Sequence, residues 1–453
     1  MNEGLQILFD ELRADLDRDS PALAARRLAD LASSEVADLF ALLATDERIL
    51  LVRQMPAEQA ASVLAEIDDR SLSDVLEILQ DREIVELLDT LPSDDAADLV
   101  SHLDEEDQDR VIEMLDRVDH QDAVELKELL RYPEDTAGGV MAKEYLSIPE
   151  DRAVGTVHEA LRTMDESELD SMHFGFVVDG AGRLVGRFSL LRLLLSPLHQ
   201  TAAAIMDPDP IRAQVTDDQE KVANLFVRHD LVSLPVVDSE DRLIGRITVD
   251  DAMDVLEEEA TEDVARLAGS SVEEVGSTSV WEISRARLPW LLLGLAGQLL
   301  AAVVLSRFEE TLKTRVILTF FIPMVMATGG NTGIQTSSIM IRMLVTHDLD
   351  RRRAGQHLMR EFLVALVIGL TLGGLMVVTL LLWRHEADLG FVIGLSLMSV
   401  VLISGMVGST VPLLCDRFGI DPTLATGPFI TTTNDVLGLM VYLAIAHQLL
   451  QVW

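Results

Sequence analysis

From Leu288 onward the chain is built for a different solvent. The run LPWLLLGLAGQLLAAVVL is long enough to cross a bilayer, and four further apolar runs follow at about 316–344, 362–383, 389–415 and 423–450. A backbone in lipid must satisfy its polar groups internally, so these runs imply a bundle of five helices. Upstream the character is the opposite. Residues 1–285 hold 66 of the 76 acidic residues against 25 Lys and Arg, while residues 286–453 hold 10 against 11. The formal net charge of −40 therefore belongs almost wholly to the first part, and the chain must comprise at least two units.

An acidic half of this kind disfavours nucleic acid, whose binding rests on Lys and Arg contacts to phosphate. Cations are its natural partners, although acidity also serves simply to keep a helical domain soluble. Cys415 lies in an apolar run and reads as a small core residue. The opening MNEGLQILFDELRADLDRDS lacks a cationic segment followed by an apolar core, so no cleaved signal peptide is expected. The ten His are scattered, with no His-x-x-x-His pair, phosphate-binding loop or Gly-x-Ser-x-Gly elbow, which argues against an enzyme. Basic residues set the orientation. Arg285 and Arg287 precede the first run and Arg351, Arg352 and Arg353 follow the second, so five spans put the N-terminal half in the cytoplasm and Trp453 on the far side.

Two repeats organise the soluble half. Residues 1–131 carry apolar positions at helical spacing, and MPAEQAASVLAEID from Met55 aligns with LPSDDAADLVSHLD from Leu91 at an offset of 36 residues. That period is expected of stacked helical hairpins. Within 132–255, FVVDGAGRLVGR from Phe176 matches PVVDSEDRLIGR from Pro235 at an offset of 59. Each copy reads as a strand, an Asp-containing turn and a second strand with Gly at its bend. These copies resemble a pair of CBS domains, modules that often bind adenine nucleotides. The second copy keeps Gly245, Thr248 and Asp251 in a pattern that can hold a ribose in that superfamily, whereas Arg192 replaces the Asp in the first. The resemblance thus implies at most one ATP-type site per pair, and a tandem without ligand is the alternative.

Three features of the membrane part are unusual for anchors. PMVMATGGNTGIQTSS in the second run sets Pro323, Gly329, Gly330 and Gly333 around Asn331, and helix breakers at this depth are expected to free backbone carbonyls. The fourth run is thick with small residues, a pattern of close helix packing. In the fifth, Gly427, Thr431, Asn434, Asp435 and Gly438 share one helical face. A carboxylate in lipid costs several kcal/mol unless paired or hydrated, and such residues commonly mark ion routes. The alternative is an Asp satisfied by Arg342 or by helix ends.

The order of parts and five segments, YPEDTAGGVM, DVLEEEATEDVARLAG, RFEETL, TGGNTGIQ and GPFITTTNDVLG, resemble the MgtE family of Mg2+ channels and transporters across essentially the whole chain. One departure is Ile334-Gln335-Thr336, where the family more often reads Asn-Gln-Ser. The resemblance implies a homodimer in the cell membrane with a pore on its two-fold axis, a connecting helix within 256–285, and a five-helix membrane domain over 286–453. Asp435 would hold hydrated Mg2+, with Gly427, Thr431, Asn434, Gly438 and Asn331 lining the pore. A cytosolic Mg2+ sensor would draw on Asp95 and Asp98, on Asp218, Glu220 and Asp230, and on Asp250, Asp251, Asp254, Glu258, Glu259, Glu262 and Asp263. Carboxylates packed so closely repel unless a cation lies between them. The reading is a multidomain protein with an all-α helical-repeat domain, α/β tandem CBS domains and a transmembrane bundle, conducting Mg2+ and closing when its acidic sites fill. The rival is a membrane-anchored CBS sensor of nucleotide or metal that conducts nothing.

Overall fold

In the N-terminal part, helices of eight or nine residues begin at Pro21, Ser33, Thr45, Ala57, Asp69, Asp81 and Ser93, one every twelve residues. The 36-residue repeat is therefore three short helices, and the expectation of helical hairpins is corrected to this shorter unit. Its local causes are plain. Pro56 and Pro92 precede their helices, which start at Ala57 and Ser93, and Asp68 accepts a bond from Ser71 N to cap the next. Each helix buries one side, as in Ala60, Ala61, Val63 and Leu64 and their repeat partners Ala96, Ala97, Leu99 and Val100. The structure, a computed structural model, describes residues 3–18, 20–162, 172–268, 279–345, 354–425 and 427–452. It divides into two compact units, 1–259 and 260–453.

The same unit contains two small sheets. Leu146–Pro149 (β1), Phe174–Val178 (β2), Leu184–Ser189 (β3) and Asp207–Pro208 (β4) form one, in that order. Ala213–Gln214 (β5), Ser233–Val237 (β6) and Leu243–Thr248 (β7) form the other. In each copy the first pairing is parallel and the next antiparallel. The repeated Asp does the same job twice, since Asp179 accepts from the amides of Ala181 and Arg183, and Asp238 from those of Glu240 and Arg242. The repeated Gly sits at an irregularity in both copies, since the register shifts just after the Val177–Gly186 and Val236–Gly245 pairs, as expected for a local bend. Gly186 and Gly245 lie inside β3 and β7, where an added Cβ would sit 2.5 Å from Met206 Sδ and 2.6 Å from Met141 Sδ. Ala142 pairs with Arg246, so the segment after Tyr132 joins the second copy, whose core is continuous with that of the helical domain.

The second unit holds the apolar helices. Val280–Arg307 forms the first span, Ile322–Val345 the second, Ala354–Arg384 the third, Ala387–Arg417 the fourth and Pro428–Val452 the fifth. The first, third, fourth and fifth are long and apolar enough to cross a membrane on length and composition alone. The second has 24 residues, about 36 Å of helix, and is less apolar because Gly, Thr, Asn, Gln and Ser fill its middle. It packs against the fourth and fifth, the first packs on the fifth, and the third on the fourth. The expected break in the second span is absent. Pro323 falls in its first turn, where no intrahelical donor is lost, and the helix runs unbroken through Gly329, Gly330 and Gly333. These glycines instead let neighbours approach, since a Cβ on Gly329 would lie 2.8 Å from Val400 Cγ1 and one on Gly333 only 1.9 Å from Asn434 Nδ2. Gly269, the 270–278 stretch of the connecting segment, Arg351, Arg352, Arg353 and Trp453 lie outside the described residues.

Candidate functional site

The polar residues of the fifth span divide between two neighbours. Asn434 is 2% exposed and packs on Gly333 of the second span, and neither its Nδ2 nor its Oδ1 is hydrogen-bonded among the described residues. Gly438 meets Val400 and Met326, and Thr431 lies near Gly330 while its hydroxyl donates to Gly427 O at 2.8 Å. Asp435 turns instead toward the first span, where Gln298 Nε2 donates to its Oδ2 at 2.6 Å. The single face read from the helical wheel is thus two adjoining ones, and Asn434 is buried inside the bundle rather than lining an open surface of this chain. Asn331 and Gln335, one turn apart on the second span, are both exposed.

The acidic residues of the first unit converge on the helix Ser93–Ser101 and the start of the helix Val249–Ala268. Ser93 donates from both N and Oγ to Glu144, at 3.1 and 2.9 Å, and its Oγ accepts from Lys143 N at 2.8 Å. These bonds tie the helical domain to the second CBS copy beside Asp94 and Asp95. Burial, reinforced by Asp251, Asp98, Glu66 and Asp250, pushes the Asp95 carboxyl up to about 7. Asp94 is raised well above the ordinary range by burial and by Asp251, Asp95 and Glu144. Asp251 and Asp254 are raised as well, each chiefly by burial. Arg246, 4% exposed, brings a positive charge among them; burial lowers its pKa, and Glu144, Asp94, Asp251 and Asp250 oppose that.

Of the sensor residues expected from sequence, the structure therefore gathers Asp95, Asp250, Asp251 and Asp254, with Asp98 one turn along from Asp95 and beside His102. Asp218, Glu220 and Asp230 belong to the helix Gln219–His229 and its caps, whose first residue meets Glu259. Asp218 caps the helix Gln219–His229 by accepting from the amides of Glu220 and Lys221, whereas Asp230 ends it in a left-handed conformation, about 18 Å away. Glu259 accepts from Gln219 Nε2 at 3.0 Å. Further along the 249–268 helix come Glu258, Glu262 and Asp263; Glu262 pairs with Arg266, which also reaches Asp421 at 2.6 Å. Thr248 donates to Asp251 Oδ2 from N at 2.9 Å and from Oγ1 at 2.5 Å. Sequence reasoning missed Glu66, Asp94, Glu144, Arg246 and Gln298. Only Asp94, adjacent to Asp95, carried a visible signal. Among the described residues no group of three or more His, Cys, Asp or Glu is arranged to hold a metal ion directly.

Comparison with known proteins matches a family model described as a divalent cation transporter over residues 322–445, the MgtE intracellular N domain over 31–135, and the CBS domain over 137–197 and 202–258. The magnesium transporter MgtE of Thermus thermophilus is 37% identical over 340 residues, 74% of each chain. That of Enterococcus faecalis is 34% identical over 333 residues, 73% of each. The crystal structure of the cytosolic domain of the Mg2+ channel MgtE in complex with ATP is 31% identical, with a TM-score of 0.50, and the match covers 55% of this chain and 99% of that one.

Proposed function

Because the chain belongs to the MgtE family of divalent cation transporters, we propose that it conducts Mg2+ through a pathway containing Asp435 and closes when Mg2+ fills its cytosolic acidic cluster. The observation that carries the conduction reading is a carboxylate within the fifth span, on a helix whose mean hydropathy of 1.5 is the lowest of the four apolar spans. An anion there needs a cation or water, and Mg2+, which gives up its waters reluctantly, suits a carboxylate acting through them.

The exposed polar face of the second span supports a homodimer. Asn331 and Gln335 are exposed on this chain, yet polar side chains facing lipid are costly, so that face calls for a second copy or a water-filled path. Closure is supported by the gathering of Asp94, Asp95, Asp251 and Asp254, whose carboxyls are raised chiefly by burial and further by neighbouring carboxylates. The set fits Mg2+ held largely through its own waters, with Asp95, Asp250, Asp251 and Asp254 as acceptors. Asp98, Asp218, Glu220, Asp230, Glu258 and Glu259 extend the acidic surface of the first unit that cytosolic Mg2+ would meet, and Glu262 and Asp263 offer further carboxylates in the second. Bound ions shift the equilibrium only by their preference for the closed state. ATP binding at Thr248 and Asp251 belongs to the same proposal, and there the nucleotide would compete for an Asp251 oxygen that Thr248 already holds.

The test is Mg2+ uptake into proteoliposomes by the full chain and by Asp435→Asn. The variant keeps the shape and loses the charge, and its uptake should fall to background while the protein still folds. Wild-type uptake by the variant would remove Asp435 from the pathway. Absent uptake by the unmutated chain would favour a sensor that does not conduct.

A further inference from the structure

We infer that Gln298 of the first span determines which divalent cation the Asp435 site accepts, by occupying one carboxylate oxygen and so favouring an ion held through water. The inference rests on the reading of Asp435 as the pore ligand. Gln298 stands on a helix whose Leu291, Leu292, Leu295 and Leu299 are exposed, the pattern of a lipid-facing surface. An amide on such a helix is costly unless it finds a partner. Its partner is Asp435 Oδ2, at 2.6 Å.

The neighbouring residue makes this contact possible. Gly297 is buried, and a Cβ there would lie 1.8 Å from Thr432 Cγ2, so the Thr432 side chain packs directly on the bare backbone of the first span. Thr432 and Asp435 are three apart and so lie on neighbouring positions of the fifth span. One crossing therefore sets Gly297 on Thr432 and Gln298 on Asp435. A residue larger than Gly at 297 would require the Thr432 side chain to move.

The consequence is a matter of ligand chemistry. Ca2+ takes about six to eight oxygens in flexible geometry and often grips both oxygens of one carboxylate, whereas Mg2+ keeps an octahedral shell rich in water. A carboxylate that already accepts an amide hydrogen on one oxygen is a poor bidentate ligand but a sound acceptor for a metal-bound water. Gln298 would thus penalise Ca2+ more than hydrated Mg2+.

Gln298→Met keeps the side-chain length but cannot donate. In proteoliposomes of the full chain, with chelator on the side of the acidic unit, the ratio of Ca2+ to Mg2+ uptake should rise roughly tenfold, the scale of one lost hydrogen bond to a charged group. The melting temperature should not move. Gln298→Asn, one methylene short, should shift the ratio in the same direction and serves where the Met variant fails to assemble. Asp435→Asn, run alongside, separates the two claims. If it conducts as the unmutated chain does, the pore reading falls and takes this inference with it. If it is silent while the Gln298 variants keep the original ratio, or lose both fluxes equally, Gln298 only anchors the helix and the selectivity role is overturned.

Discussion

Asp95 lies in the first turn of the helix Ser93–Ser101, a position favourable to negative charge, yet its carboxyl is pushed up to about 7. Burial and the facing Asp251 outweigh the helix end. An acid whose folded pKa exceeds its ordinary value holds its proton more tightly when folded, so its contribution to stability is greatest at low pH and is lost as pH rises through the folded value. His102 has the same sign, because its pairing with Asp69 at 3.6 Å pushes it up to about 9 and its contribution disappears as pH climbs through that value. In chelator, the melting temperature of residues 1–259 should therefore fall steadily from roughly pH 6 to 9. Asp95→Asn should flatten the lower half of that slope. A melting temperature that rises over this window would contradict the account. Asp251 serves two proposals at once, so Asp251→Ala should weaken both nucleotide binding and Mg2+-dependent closure; unchanged ATP affinity by calorimetry would remove the nucleotide role alone.

At the level of elements, contacts between helices separate residues that look alike in sequence. Gly333 and Gly374 are both glycines in membrane helices, but an added Cβ meets Asn434 Nδ2 at 1.9 Å in the first case and nothing within 4 Å in the second. Gly333→Ala should cost about 1–3 kcal/mol of stability by overpacking, and lower Mg2+ uptake by displacing the fifth span. Gly374→Ala should leave both unchanged or stabilise slightly. Thermal unfolding in detergent checks the pair, and equal melting temperatures would show that the second and fifth spans tolerate separation. The same contrast explains what sequence reading could and could not reach. The repeated Asp179 and Asp238 turns and the paired strands were legible because their hydrogen bonds are local. The twelve-residue helical unit was hidden because only every third helix repeats its residues closely. Gly329 and Gly333 read as helix breakers because a glycine's partner across a helix interface leaves no trace in its own segment. Adjacent residues on a helix differ by about 100°, so Asn434 and Asp435 could share a broad face in sequence and still meet different spans. Gln298 was beyond reach for the same reason, as a lone amide in a leucine run whose partner lies far along the chain.

For the whole molecule, the proposal assigns sensing to the acidic cytosolic unit and passage to the membrane unit. With the N-terminal unit in the cytoplasm and five spans, the C-terminus should lie outside, and a reporter active only in the cytoplasm should stay silent when fused there. Strong reporter activity would contradict the span count. Mg2+ should also slow limited proteolysis of the cytosolic unit, because ions between like charges hold its parts together; equal cutting in chelator and in excess Mg2+ would remove the sensor. The most direct test is Mg2+ flux through the reconstituted full chain while Mg2+ on the side of the acidic unit is stepped from zero to well above physiological levels. The account predicts high flux in chelator that declines as that Mg2+ rises, with Asp435→Asn at background throughout. Flux that ignores Mg2+ on that side would contradict it.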